Sequence, residues 1–197
     1  VRGGGLGQEF ALRRWASKWN ISAFVWGFAE ATLFFIVPDV LLSYIGMKRG
    51  MRAGAVASVF AAVGAGLGGM AMFMWSVRDP AHARAAVLDV PAINEAMARA
   101  AEASIAAQGW FLATLLGPLS TTPYKLYAIA APHAGAPLWL FAAASVATRL
   151  PRFVLAGAGS SIIARRLAPI LGERRLIWVY ASAWVLFYVA YLSLNPS

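Results

Sequence analysis

The chain has 197 residues, 60% of them hydrophobic and 13% charged, with a mean hydropathy of +0.65 and a formal charge of +9. Soluble domains carry about 25% charged residues, so this composition excludes an ordinary soluble domain and describes a polytopic α-helical membrane protein built as one unit. With no cysteine and two histidines, disulfides, thiolate catalysis and Cys- or His-cluster metal sites are excluded; carboxylates remain the only possible metal ligands, and no cofactor is implied.

The first ten residues lack the charged region, apolar run and small-residue cleavage site of a signal peptide, so the first apolar segment is expected to stay in the membrane. Residues 1–20 read as an interfacial arm: Leu12, Trp15 and Trp19 form one stripe, with Arg13, Arg14 and Lys18 elsewhere. A frayed basic arm fits the same pattern.

Five apolar stretches follow, at 21–47, 53–77, 109–131, 136–164 and 176–194. A spanning helix needs roughly 20 apolar residues, and 53–77 and 176–194 meet that requirement without interruption. The stretch 21–47 contains Glu30, Pro38 and Asp39. The stretch 109–131 contains Gly117, Pro118, Pro123 and Lys125, and 136–164 contains Arg149, Pro151 and Arg152. Proline beside a charge breaks the helical ladder, and broken backbone at membrane depth survives only against protein or a water-filled cavity. The breaks at Pro38 and Pro123 predict re-entrant helical hairpins over 21–47 and 109–133; tilted, kinked spanning helices are the alternative.

Gly64, Gly68 and Gly69, with Ala65 and Ala71, predict a small-residue packing face. Gly64–Gly69 lacks the preceding strand that a dinucleotide-binding glycine loop needs. The connection 78–108 holds an external helix over 91–108 with Ile93, Met97 and Ala100 on one face. Trp110, Trp139, Trp178 and Tyr180 read as interfacial anchors, and His133 as a pH sensor or a plain interfacial histidine.

The basic residues sit at the ends of apolar runs with no nucleic-acid-binding motif around them, so anionic lipid headgroups are the expected partner and nucleic acid is not. Arg13, Arg14, Lys18, Lys48, Arg49 and Arg52 flank the first hairpin, and Arg165, Arg166, Arg174 and Arg175 separate the last two helices. The positive-inside rule makes both groups cytoplasmic. The 78–108 connection has no basic excess and reads as the outer side, which agrees with two hairpins and three spans.

Shifting the chain by 85 residues lays Pro38 on Pro123, Leu41 on Leu126 and Gly50 on Gly135. Each copy reads as hairpin, glycine link and spanning helix, and one crossing per copy opposes their orientations, as in many transporters. The expected fold is therefore all-α with two inverted pseudo-repeats, residues 21–165, plus a basic loop and extra helix over 166–197.

The first copy holds the acids Glu30 and Asp39; the second holds the bases Lys125, Arg149 and Arg152. Intramembrane charges are costly and mark functional sites by default. One reading is a polar cavity in which carboxylates exchange protons while the cations hold an anionic headgroup; another is salt bridges tying the copies together. A small-ion or proton-coupled transporter is a further alternative. An enzyme is disfavoured, because Ser120, Thr121 and Thr122 have no histidine nearby in sequence except His133.

The segments Ala29-Glu30-Ala31-Thr32-Leu33-Phe34-Phe35-Ile36-Val37-Pro38-Asp39, Thr122-Pro123-Tyr124-Lys125-Leu126-Tyr127-Ala128-Ile129-Ala130 and Arg149-Leu150-Pro151-Arg152-Phe153 together resemble the DedA family. That family is also called the SNARE-associated or VTT-domain family, and the likeness is to its small YqaA-like branch. The resemblance covers roughly residues 26–165. It implies opposed re-entrant hairpins, a bacterial inner-membrane location and proton-linked movement of phospholipids or polyprenyl phosphates between leaflets. By position, Glu30 and Asp39 match the acidic pair of the first hairpin, Lys125 the basic residue after the second hairpin's proline, and Arg149 and Arg152 the later arginines. Asp39 follows Pro38 directly, where the family often has a small residue between them. Homo-oligomers are compatible with this reading.

Overall fold

The structure, a computed structural model, describes residues 17–117 and 122–194. Leu12, Arg13, Arg14, Trp15, Pro118, Ser120 and Thr121, all named above, lie outside the described residues. All regular structure within them is helical. Three helices are long and apolar enough to cross a membrane: Met51–Arg78, Leu138–Leu171 and Glu173–Leu194.

Helix α1 (Lys18–Ala31) takes in the last three residues of the expected arm, so Lys18, Trp19 and Asn20 form its first turn. Trp19 packs on Tyr44, with the Arg49 guanidinium 5.2 Å above its ring. The helix ends where Thr32 folds its hydroxyl back onto the Ala29 carbonyl at 2.8 Å, competing with continuation of the ladder. Helix α2 (Asp39–Arg49) starts behind Pro38, whose missing N–H costs nothing at a helix start. Asp39 lies at its positive end and Lys48 and Arg49 at its negative end, as the helix dipole favours.

Gly50, at φ 87°, is the single residue between α2 and α3 (Met51–Arg78). At 1.5 Å per residue, α3 is about 42 Å long against a hydrocarbon core of about 30 Å. Helices α1 and α3 touch backbone to backbone. A side-chain carbon on Gly64 would strike the Phe24 carbonyl, one on Gly68 the Phe28 carbonyl, and one on Gly27 the Ala61 carbonyl. In lipid such contacts stand in for the hydrophobic drive that water supplies to soluble proteins. The small-residue face is thus real but differently drawn: Ala71 is exposed, and Gly69 turns to a different neighbour, Tyr124.

The connection after α3 forms two helices. Asp79 caps α4 (Pro80–Leu88) through the His82 N–H at 3.1 Å, and this bond with the adjacent imidazole holds the Asp79 carboxyl below its ordinary range. Helix α5 (Glu95–Leu116) buries Met97, Ala98, Ala101 and Ile105, while Ala100 faces out. Three residues carry the face from Met97 to Ala100, whereas the buried side follows the four-residue steps 97, 101 and 105. Arg84 ties α4 to α5 through two hydrogen bonds to Glu95, at 2.7 and 2.8 Å. Gly109 (φ 80°, ψ 157°) breaks α5, so residues 110–116 run in a new direction.

Helix α6 (Tyr124–Ala130) starts behind Pro123 and continues as a 3₁₀ turn, Ala131–Ala134, to Gly135 at φ 74°. Helix α7 (Leu138–Val154) contains Pro151 and passes through one π-helical segment, Leu155–Gly159, into α8 (Ser160–Leu171). Gly172, at φ 75°, turns the chain into α9 (Glu173–Leu194), whose only buried residue is Leu176. Two apolar cores lie along α3. One joins α1, α2 and the first half of α3 around Phe153; the other joins its second half to α4, α5, α6 and Phe141. Tyr124 packs against both.

Candidate functional site at the broken helices

Residues 32–38, mostly half-buried with Leu33 and Phe34 exposed, leave helical geometry within an apolar stretch, so their backbone groups need other partners. Those partners come from distant elements. Trp26 Nε1 donates to the Ile36 carbonyl at 3.0 Å, and Lys125 Nζ donates to the Phe34 carbonyl at 2.8 Å. The Val37 N–H donates to the Tyr188 hydroxyl at 2.8 Å, and the Tyr180 hydroxyl donates to the Val40 carbonyl. Tyr180 is therefore not a free interfacial anchor: its hydroxyl adds a further donor to a carbonyl in the first turn of α2 and so ties α9 to α2.

All five sequence-selected charges meet beside this break. Glu30, in the last turn of α1, accepts from both terminal nitrogens of Arg149, with Arg149 Nη2 at 3.3 Å from Oε1. Their side chains are 13% and 8% exposed, so the pair is nearly dry. Asp39, at the start of α2, accepts from Arg152 Nη2 at 3.0 Å and Nε at 3.3 Å. The two arginines, one turn apart around Pro151, thus hold one carboxylate each. Arg152 differs from Arg149 in keeping half its side chain exposed, 51%.

Arg149 is positioned from below by an aromatic chain. Its guanidinium carbon lies 4.1 Å from the centre of the Tyr124 ring, a cation–π contact. The Tyr124 hydroxyl donates to Ser145 Oγ at 2.5 Å, and Ser145 Oγ donates to the Phe141 carbonyl at 2.6 Å. Gly69 leaves the space that the Tyr124 hydroxyl fills. Arg149 Nε is buried and has no hydrogen-bond partner among the described residues.

Lys125 is 3% exposed and stands at the second position of α6, where the helix dipole disfavours a cation. No carboxylate pairs with it among the described residues. In their charged forms the five residues carry three positive and two negative charges, so the cluster has one cation in excess.

Sequence reading missed the contributions of Trp26, Tyr180 and Tyr188, because a tyrosine near a segment end carries no mark separating an anchor from a backbone partner. It also missed Ser76, whose hydroxyl lies 2.9 Å from His133 Nε2 and 2.7 Å from the Ile129 carbonyl, tying α3 to the 3₁₀ turn. No family model, curated protein or solved structure matches this chain. The likeness to the DedA family rests on the three motifs quoted above.

Proposed function

We propose that the chain is a DedA-type membrane transporter, a proton-linked flippase or scramblase for phospholipids or polyprenyl phosphates in a bacterial inner membrane. One observation carries the reading: five clustered charges with one cation in excess, the buried Lys125, which has no carboxylate within ion-pair distance among the described residues and stands at a helix start where the dipole disfavours it. A phosphate-bearing headgroup would balance that charge, with the half-exposed Arg152 as its first contact and the acyl chains left in lipid. Glu30 and Asp39, each held by an arginine, are the groups a proton would release from that grip.

The fold proposed with this function is a pair of inverted repeats with re-entrant hairpins over 21–47 and 109–133. The 85-residue shift supports it. It maps α2, Asp39–Arg49, onto α6 plus its 3₁₀ turn, residues 124–134, and it maps Gly50 onto Gly135, both at positive φ. The absence of native cysteine makes the topology directly measurable. Lys18→Cys and Arg52→Cys should react with a membrane-impermeant maleimide from one side, and Ala81→Cys and Ala134→Cys from the other. Lys18 and Arg52 on opposite sides would mean that the first hairpin spans.

The test of function is leaflet exchange of a fluorescent phospholipid or polyprenyl phosphate in liposomes holding the purified protein. The unsubstituted chain should exchange at least one of them, and Lys125→Met should slow that exchange about tenfold or more while helical content stays unchanged. A second reading, a scaffold whose charges are structural, is favoured by the fact that both carboxylates already have an arginine. It requires that no lipid exchanges.

A further inference from the structure

At the basic end of α3, away from the charge cluster, an open cavity of about 230 Å³ lies between α2, α8 and the start of α9. Its polar lining is Lys48, Ser161, Arg165 and Glu173; its apolar lining includes Leu176 and Ile177. The volume holds several waters at about 30 Å³ each, hence a phosphate group as well. Two single-glycine joints meet here, α2–Gly50–α3 and α8–Gly172–α9. Gly50 lines the cavity and gives the first N–H groups of α3 no side-chain cap, and Glu173 is the first residue of α9.

The polar groups form a set with one weak member. Arg165 Nη2 reaches Ser161 Oγ at 3.4 Å, and Ser161 is 2% exposed. Lys48 and Arg165 are both exposed, and the ion partner of Lys48 is Glu173 at 3.5 Å. Glu173 is 83% exposed and makes no other ion pair among the described residues. A carboxylate held so loosely at an N-terminus occupies the position of a displaceable anion. Lys48 offers a compact charge and Arg165 a planar fork, the pairing that suits phosphate oxygens. Leu176 and Ile177 would lie beside whatever apolar chain the phosphate carries.

We infer that this cavity is a binding seat for a phosphate-bearing anion, with Lys48 and Arg165 as its cationic walls and Glu173 as the built-in competitor that the anion displaces. It is separate from the Glu30–Arg149 cluster and does not rest on the transport reading. The same chemistry could arrive as a lipid headgroup or as free phosphate.

The experiment is native mass spectrometry and calorimetry on the full chain in neutral detergent. The probes are dioctanoyl phosphatidic acid, dioctanoyl phosphatidylcholine and inorganic phosphate. Phosphatidic acid should bind at one site and more tightly than phosphatidylcholine. Lys48→Ala with Arg165→Ala should weaken it about tenfold or more. Glu173→Gln should tighten it about two- to fivefold, because it removes the competitor without removing a cation. Inorganic phosphate binding with the same responses assigns the seat to free phosphate; phosphatidic acid alone assigns it to a headgroup held with its chains. Arg174→Ala with Arg175→Ala removes equal charge from the same end of the protein without touching the lining. An equal loss there, or weaker binding in Glu173→Gln, overturns the proposal.

Discussion

Arg149→Ala is expected to destabilise the protein by about 3–5 kcal/mol, measured as unfolding in mixed micelles by circular dichroism. The cost comes from leaving the Glu30 carboxylate almost dry without its partner, rather than from the net worth of the pair. Removing both charges together should therefore be mild. Glu30→Leu with Arg149→Met replaces a buried pair by apolar groups of similar volume, and most of the lost stability should return. The two variants also divide the two functional readings. A structural tie predicts that the double variant behaves like the original chain in every assay, whereas a proton- or anion-handling site predicts a stable protein with leaflet exchange abolished. Double-variant stability no better than that of Arg149→Ala would mean that the pair is indispensable to packing itself.

Gly157→Ala should have the second-largest effect, and its sign runs against helix propensity. Alanine is favoured over glycine in a helix by about 1 kcal/mol, yet a side-chain carbon on Gly157 would lie 2.6 Å from Ser58 Oγ and 2.7 Å from the Gly54 carbonyl. The opposing surface is fixed: Ser58 Oγ sits 2.7 Å from the Phe153 carbonyl, and the Gly54 carbonyl is α3 backbone. The helices must part, which costs about 1–3 kcal/mol as overpacking. Gly159→Ala, two residues on in the same π segment, meets nothing within 4 Å. It should leave stability unchanged or raise it by up to about 1 kcal/mol. If the two substitutions move the thermal midpoint in the same direction, backbone contact at the π segment is not what holds α3 to α7.

These contacts explain what was legible in the sequence and what was not. Proline fits a helix start better than a helix interior, so Pro38 and Pro123 marked the starts of α2 and α6 from sequence alone, whereas Pro151, also expected to break its stretch, lies inside α7. Charge in an apolar run is equally local in its cost, and all five selected residues meet at one place in the fold. Which acid faces which base depends on the rotation of α1 and α2 against α7, and no local rule encodes that. Lys125 illustrates the limit: its type predicts a headgroup or carboxylate partner, whereas its observed acceptor is the Phe34 carbonyl. The cap on α4 was a missed signal of the legible kind, since Asp79 before Pro80 is a helix-start pair. The Gly46 approach to Gly157 was illegible, because a glycine in a greasy helix looks the same whether it faces lipid or another backbone.

The tyrosines of α9 bear on the order in which the protein is made. Val37 and the Tyr188 that accepts its N–H are 151 residues apart. Chains grow at about 5–20 residues per second, so roughly 8–30 s separate the synthesis of the two. During that interval the Val37 N–H must rest on water, lipid headgroups or the insertion machinery, because Tyr188 does not yet exist. The broken segment between α1 and α2 thus waits for α9, a helix with a single buried residue, to complete its hydrogen bonds.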